Sequence, residues 1–293
     1  MNKNPQILYL LMAVPKQCSL VVAKNNEGMD STKDTILLAL LWNDGRCGYD
    51  RLTRMTLFTA GTISKQIKYL VDNGYVLCSI DDVSRKNKIV EITEKGRAYI
   101  EEAVDRYNEV ESIGLLSFEP EQKEEFVDFL DKIYSIVNVD EEERQVHPDG
   151  FPVVLNYFSL MQRTLDYLIT KSKSKHELKY SERLVILALY HENKTCTFKK
   201  LERFTVLSQP YLVKTIKGLE KQGLVECSVD EKDRRVMKAT ITEKGKEYSK
   251  PLYENCVESQ EYACAEFTKE QREKLHYYLL LFSRNLFIEY GSN

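Results

Sequence analysis

Eight cations stand in two matched sets. Lys65 and Lys68 recur as Lys214 and Lys217, and the pair Arg85-Lys86 recurs as Arg234-Arg235. Two lysines spaced three apart on a helix share a face and can meet phosphates or base edges together. Paired cations at the tip of a charged loop suit phosphate or a narrow minor groove. Thr62, Ser64 and Tyr211 add polar groups to the faces that carry the lysines. The rival reading is a solvated helix face for the lysines and an internal ion pair with Asp81 or Asp230 for the loop cations. One cation of each loop pair is expected to face outward.

Other chemistry finds little support. His147, His176, His191 and His276 are scattered, without H-x-x-x-H or His/Cys spacing for a metal. There is no G-x-S-x-G, phosphate-binding loop or dinucleotide fingerprint. The acidic run Asp140 to Arg144 reads as a solvated connection. Neither enzymatic activity, nor a metal, nor a cofactor is expected.

The elements that must position these cations are written twice. Sliding the chain on itself by 149 residues aligns nearly all of it without a gap, with roughly 23 identities in 63 pairs from Leu37 to Tyr99. Cys47 falls on Cys196, Gly74 on Gly223, Cys78 on Cys227, and Ile92-Thr93-Glu94-Lys95-Gly96 on Ile241-Thr242-Glu243-Lys244-Gly245. Two repeats follow, 1–149 and 150–293.

At 293 residues, 43% hydrophobic and 30% charged, the chain suits two globular domains. No apolar run is long enough for a membrane span, and Ile7 to Val14 lacks the flanks of a signal peptide. Seven cysteines, two of them recurring between Leu and Val neighbours, read as buried thiols in a reducing cytoplasm rather than a disulfide framework. The net charge of −3 argues against blanket nucleic-acid binding, but its distribution is uneven. Residues 101–150 hold 16 acids against 4 bases, whereas 59–90 hold 5 bases to 3 acids and 208–239 hold 7 to 5. Two local basic faces can bind phosphate on an otherwise acidic protein.

Within a repeat the periodicity predicts an apolar opening helix (from Gln6 and from Val153) and a second helix over 35–43 or 182–192. A short helix from Tyr49 follows, then a polar turn and a capped helix from Thr59 or Ser208. Ile63, Ile67 and Leu70 form one stripe, matched by Leu212, Ile216 and Leu219; Gly74 and Gly223 end the helices. Alternating strands over 75–80 and 89–93, or 224–229 and 239–242, flank the charged loop. Thr93 and Thr242 cap a long helix, and an amphipathic helix closes each repeat. The fold class is mainly α with small β-hairpins: two tandem winged helix-turn-helix domains.

This order resembles the MarR family of winged-helix regulators. The resemblance rests on the wing Asp230-Glu231-Lys232-Asp233-Arg234-Arg235, on the exit Ile241-Thr242-Glu243-Lys244-Gly245, and on Leu219-Glu220-Lys221-Gln222-Gly223-Leu224-Val225. The first copy departs at the wing, Asp81-Asp82-Val83-Ser84-Arg85-Lys86, and at the helix start, Thr59-Ala60-Gly61-Thr62. The two-copy form is similar to the SarA-type two-domain members. The resemblance implies a transcriptional regulator, double-stranded DNA as partner, and dimerisation-type terminal helices that form an intrachain pseudo-dimer. It also implies an effector pocket, which Trp42 and the tyrosines could line, and a sensing role for Cys18, weighed against a buried idle thiol. The alternative function is a winged-helix protein-interaction module that has lost DNA binding, motivated by the acidic zone.

Overall fold

Capping and stripe periodicity build the same local structure twice. The computed structural model describes residues 5–24, 31–56, 58–80, 88–137, 152–158, 161, 165, 178–192, 195–205, 207 and 209–290. In the first copy the order is α1 (Gln6–Lys24), α2 (Ser31–Leu41), β1 (Arg46–Gly48), α3 (Tyr49–Thr56), α4 (Ala60–Asp72), β2 (Val76–Ile80), β3 (Lys88–Ile92), α5 (Glu94–Gly114) and α6 (Pro120–Val137). A helix α7 follows, described at 153–158, 161 and 165. The second copy continues with α8 (Tyr180–His191), β4 (Thr195–Thr197), α9 (Phe198–Thr205), α10 (Gln209–Lys221), β5 (Val225–Val229), β6 (Met237–Ile241), α11 (Glu243–Ala263) and α12 (Lys269–Tyr290). The repeat boundary at 149/150, the run Asp140 to Arg144, and His147 and His176 lie outside the described residues.

Each wing is a three-stranded antiparallel sheet, ordered β1-β3-β2 and β4-β6-β5. The hairpin strands were legible as alternating runs; β1 and β4 were not. At three residues each they carry no readable alternation, and they pair only once β3 and β6 exist as templates, as in Cys47↔Val90 and Cys196↔Ala239. The cores are homologous. Ile36, Leu40, Leu52, Ile63, Ile67, Leu70, Val90 and Ile100 close the first. Val185, Leu189, Leu201, Leu212, Ile216, Leu219, Val225 and Ile241 close the second. Each such side chain contributes about 1.5–3 kcal/mol on burial, so the stripe orients the helices more firmly than any surface pair.

Beneath the first wing the buried Asp34 accepts from the hydroxyls of Tyr99 and Tyr107, both at 2.9 Å, with Lys33 Nζ 3.8 Å from the centre of the Tyr99 ring. The second copy reverses the charges at the same two positions. Glu182 accepts the Lys179 N–H at 2.9 Å and the Gln222 amide at 3.3 Å, while Arg183 donates to Leu178 O at 2.6 Å. Gly218 makes room for this: a Cβ there would stand 2.8 Å from the Glu182 carboxylate. The matching residue in the first copy is Tyr69, which is 47% exposed.

Two compact units do not follow the repeats. One gathers Met1–Gln17, Asp128–Val137 and Met161–Arg284; the other gathers Cys18–Val127, Asn138–Leu160 and Asn285–Asn293. Inside the first unit, Tyr180 donates to Met12 O at 2.6 Å, the Leu8 N–H reaches Gln260 Oε1 at 3.2 Å, and Gln17 and Ser283 exchange two bonds of 2.9 and 2.8 Å. Phe129 packs against Phe267 at 5.4 Å between ring centres. Inside the second unit, Asn285 donates to Gly114 O at 2.9 Å and Phe126 meets Phe158 at 6.4 Å. Terminal helices of one copy thus complete cores that hold residues of the other. Of the apolar residues in the last helix, Leu275, Tyr278, Leu279, Phe282 and Leu286 are buried, while Phe287 is 42% exposed.

In the second unit Glu111 accepts the Val153 and Leu155 N–H groups at 3.0 and 2.9 Å, where a helix N-terminus needs an acceptor. Burial nevertheless lifts its carboxyl to about 7, against the lowering effect of those bonds. A folded-state value raised above the unfolded one gives stability that is complete below about pH 4.5 and is lost as pH rises through 7. We expect the wild-type melting temperature to fall across that window relative to Glu111→Gln, which cannot ionise. Parallel melting curves for the two proteins from pH 4.5 to 7.5 would contradict this coupling.

Candidate nucleic-acid interface

Both candidate recognition helices are fixed from three sides. The first is the cap. Thr59 Oγ1 accepts the Thr62 N–H at 3.2 Å and lies 3.0 Å from the Thr62 hydroxyl, so Thr62 is half-buried in the cap rather than turned fully outward. Ser208 falls outside the described residues, and α10 begins at Gln209 with Pro210 in its first turn. The second is the buried stripe, with Ile63, Ile67, Leu70, Leu212, Ile216 and Leu219 all at 0–1% exposure.

The third is the helix exit, and here the repeated Ile-Thr-Glu-Lys-Gly acquires a purpose that sequence reading did not assign. Gly74 and Gly223 turn the chain at φ +72° and +70°. Thr93 and Thr242 donate to Gly74 O and Gly223 O, each at 2.8 Å, while accepting the Gly96 and Gly245 N–H groups at 3.1 and 2.9 Å. Lys95 and Lys244 donate to Asn73 O at 2.9 Å and Gln222 O at 2.8 Å, in the last turn's carbonyl region. Gly96 and Gly245 must lack a Cβ, which would stand 2.1 Å from Tyr75 O or Leu224 O. The Thr, Lys and Gly of the motif thereby tie the end of each recognition helix to the start of the next long helix. The exact recurrence of the motif in both copies was its signal.

Held this way, α4 exposes Ser64, Lys65 and Lys68, and α10 exposes Tyr211, Lys214 and Lys217, on the faces away from their stripes. None of the four lysines makes an ion pair among the described residues, and Tyr211 is 42% exposed.

The wing of the second copy is organised by Asp230. Its carboxylate pairs with Lys238 and accepts the Lys232 and Asp233 N–H groups at 2.8 and 3.1 Å. Lys238 first, then the two N–H groups, pull its carboxyl down to about 2. The rival reading of a wing-arginine ion pair with Asp230 does not hold: Arg235 Nε reaches Asp233 at 3.1 Å, and Arg235's own N–H caps the same oxygen at 3.0 Å. Asp230 is already engaged by Lys238 on one oxygen and by two N–H groups on the other. Arg234 is exposed and makes no ion pair among the described residues. Arg85 and Lys86 lie outside the described residues.

Within the first compact unit a cavity of about 460 Å³ opens between α1, α8, α9, α11 and α12. Tyr9, His191, Phe204, Tyr253, Cys256 and His276 are among its walls. His191 stacks on Tyr253 at 6.4 Å, and burial lowers the pKa of His276. Trp42 is not part of this lining; it belongs to the other compact unit. Cys18 is buried, and desolvation with Glu111 nearby pushes its thiol far up, opposite to what a reactive thiol needs. All seven cysteines are free. The expectation that the recurring thiols are buried holds for Cys47 and Cys196. It fails for Cys78, which is exposed, and Cys227, which is half-buried, since both sit in the middle of an edge strand whose first residue alone is buried.

Residues 35–110 match the family model for a winged helix DNA-binding domain, and residues 167–252 match that of the transcriptional regulator SarA/Rot. The chain is 27% identical over 122 residues to the HTH-type transcriptional regulator YybA of Bacillus subtilis, covering 42% of this chain and 81% of that protein. It is 37% identical over 71 residues to the HTH-type transcriptional regulator SarZ of Staphylococcus haemolyticus, covering 24% of this chain and 48% of the relative. The chain thus spans about half the length of that SarZ relative. Among solved structures, a MarR family transcriptional regulator from Silicibacter pomeroyi aligns with TM-score 0.35 and 20% identity over 46% of this chain and 90% of that one. With a winged helix DNA-binding model matched in the first copy, a SarA/Rot regulator model matched in the second, and the same helix and sheet order in both, the chain is a tandem two-copy winged-helix protein.

Proposed function

We propose that the protein is a non-enzymatic transcriptional regulator that binds duplex DNA as a single-chain pseudo-dimer in the cytoplasm. The observation that carries this reading is the pair of clamped helices, each with two unpaired lysines opposite a buried stripe. In this reading α4 and α10 enter major grooves about one helical turn apart. Ser64, Lys65, Lys68, Tyr211, Lys214 and Lys217 face bases and phosphates, while Thr62 holds the start of its helix beside them. Arg234 reaches the minor groove or its phosphates, with Arg235 in reserve behind an exposed pair that salt and phosphate readily replace; Arg85 and Lys86 serve the other wing. The relatives' names as regulators support the DNA-binding class, and the cross-copy bonds within each compact unit support the pseudo-dimer. The cavity supports a small-molecule effector held beside Tyr253 and His191.

Selection of bound sites from random duplex DNA, followed by the mass of the complex, tests the proposal. The expected complex holds one 34.2 kDa chain per site, on a sequence that need not be a palindrome because the helix starts and wing tips differ. Arg234→Ala should weaken it more than Arg235→Ala. Failure to enrich any site, with no salt-sensitive retention of DNA, would leave the protein-interaction alternative standing.

A further inference from the structure

The two outer strands β2 and β5 are equivalent in topology and different in protection. The Thr93 N–H bonds to Tyr75 O at 3.1 Å, and the antiparallel alternation then turns the N–H and C=O of Val76, Cys78 and Ile80 away from β3. The same bond from Thr242 to Leu224 O, 3.1 Å, turns Val225, Cys227 and Val229 outward in the second copy.

In the second copy that edge is closed. Glu220, at the end of α10, accepts the outward Cys227 N–H at 3.2 Å, and Glu226 places a further charge on the strand. Occupied edge groups and edge charges are the means by which sheets resist pairing with other chains. The matching residues in the first copy are Val71 and Leu77. Neither side chain can accept the Cys78 N–H, and the strand Val76-Leu77-Cys78-Ser79-Ile80 has no charge. Cys78 is exposed, its N–H has no partner among the described residues, and Leu77 and Ile80 are each 63% exposed on opposite faces.

We infer that β2 pairs with β2 of a second copy of this chain, antiparallel and two-fold about Cys78. A two-fold axis there offers each outward N–H an identical outward carbonyl, which is the isologous solution for a self-complementary edge. Two uncharged strands meet without repulsion, and the edge carries no charge that would select a partner of opposite sign. Leu77 and Ile80 gain cover on both faces of the joined sheet. A five-residue strand pair buries less than the roughly 1,000 Å² of a stable interface, so the association is weak and answers to crowding, as when chains occupy neighbouring sites. It does not depend on the proposed DNA contacts.

The pairing brings the two Cys78 Cα atoms to about 5.5 Å, inside the range in which a disulfide closes. The test treats the full chain with diamide, which takes two electrons and two protons from the two thiols as the S–S bond forms, and follows the product on a non-reducing gel. A band of twice the chain mass should form faster as protein concentration rises, vanish in Cys78→Ser and persist in Cys227→Ser. Val71→Glu, which copies the guard of the second wing, and Leu77→Glu should each slow it by about tenfold with unchanged melting temperature. Sedimentation of the reduced protein should show weak self-association that Leu77→Glu removes. A dimer band that survives Cys78→Ser, equal rates in the Glu variants, or no band at all would overturn the inference.

Discussion

Replacing Lys214 and Lys217 together by alanine lowers affinity for a selected duplex by about tenfold to a hundredfold and flattens the dependence of log affinity on log salt by about two. Both side chains are exposed, sit opposite a fully buried stripe, and hold no carboxylate, so their removal leaves fold and melting temperature in place. The same pair of changes at Lys65 and Lys68 measures the first copy separately. Its helix start devotes Thr62 to the cap, whereas the second presents Tyr211. Fluorescence anisotropy between 50 and 300 mM salt reads both quantities. Binding within twofold of wild type for the Lys214/Lys217 variant would remove α10 from the interface.

Residues 150–293 expressed without the first copy fail to fold as a stable monomer. The first compact unit takes Leu8, Leu11, Met12, Leu130 and Ile133 from the first copy, all at 0–1% exposure. Five such side chains at about 1.5–3 kcal/mol each exceed much of the roughly 5–15 kcal/mol by which a domain is stable. The lost bonds from Tyr180 to Met12 O and from Lys132 to Glu266 O add to this. Calorimetry and light scattering on 150–293 should show aggregation or self-association through the uncovered face, and co-expression with 1–149 should restore a cooperative transition. A monomeric 150–293 that melts near the full-length temperature would mean that each repeat is an independent domain.

Much of the frame was readable because its rules are local. Thr59, Thr93 and Thr242 announce helix starts, Gly74 and Gly223 announce the left-handed exits, and a 3–4 spacing of Ile and Leu marks the buried face. The lysine face follows from that stripe by helical geometry alone. What escaped was non-local. Asp34 meets Tyr99 and Tyr107 across 65 and 73 residues, and nothing in either neighbourhood announces the other. Lys95 and Lys244 looked like ordinary surface cations within a repeated motif; only the folded exit shows the carbonyls 22 residues earlier that they bind.

The duplication, the winged-helix order, and the positions where cations can be offered were determined by the sequence itself, since each depends on residue type at fixed short spacing. Tertiary structure decided which cations stay available, because that depends on competition for carboxylates. Asp230 engages Lys238 and two N–H groups, Arg235 pairs with Asp233 while remaining exposed, and Arg234 is exposed with no ion pair among the described residues. It also decided which thiols and edges are open, since burial arises only when distant segments converge. Cys78 and Cys227 occupy the same strand position, and the difference between them is a glutamate seven residues earlier that reaches one edge and is valine at the other.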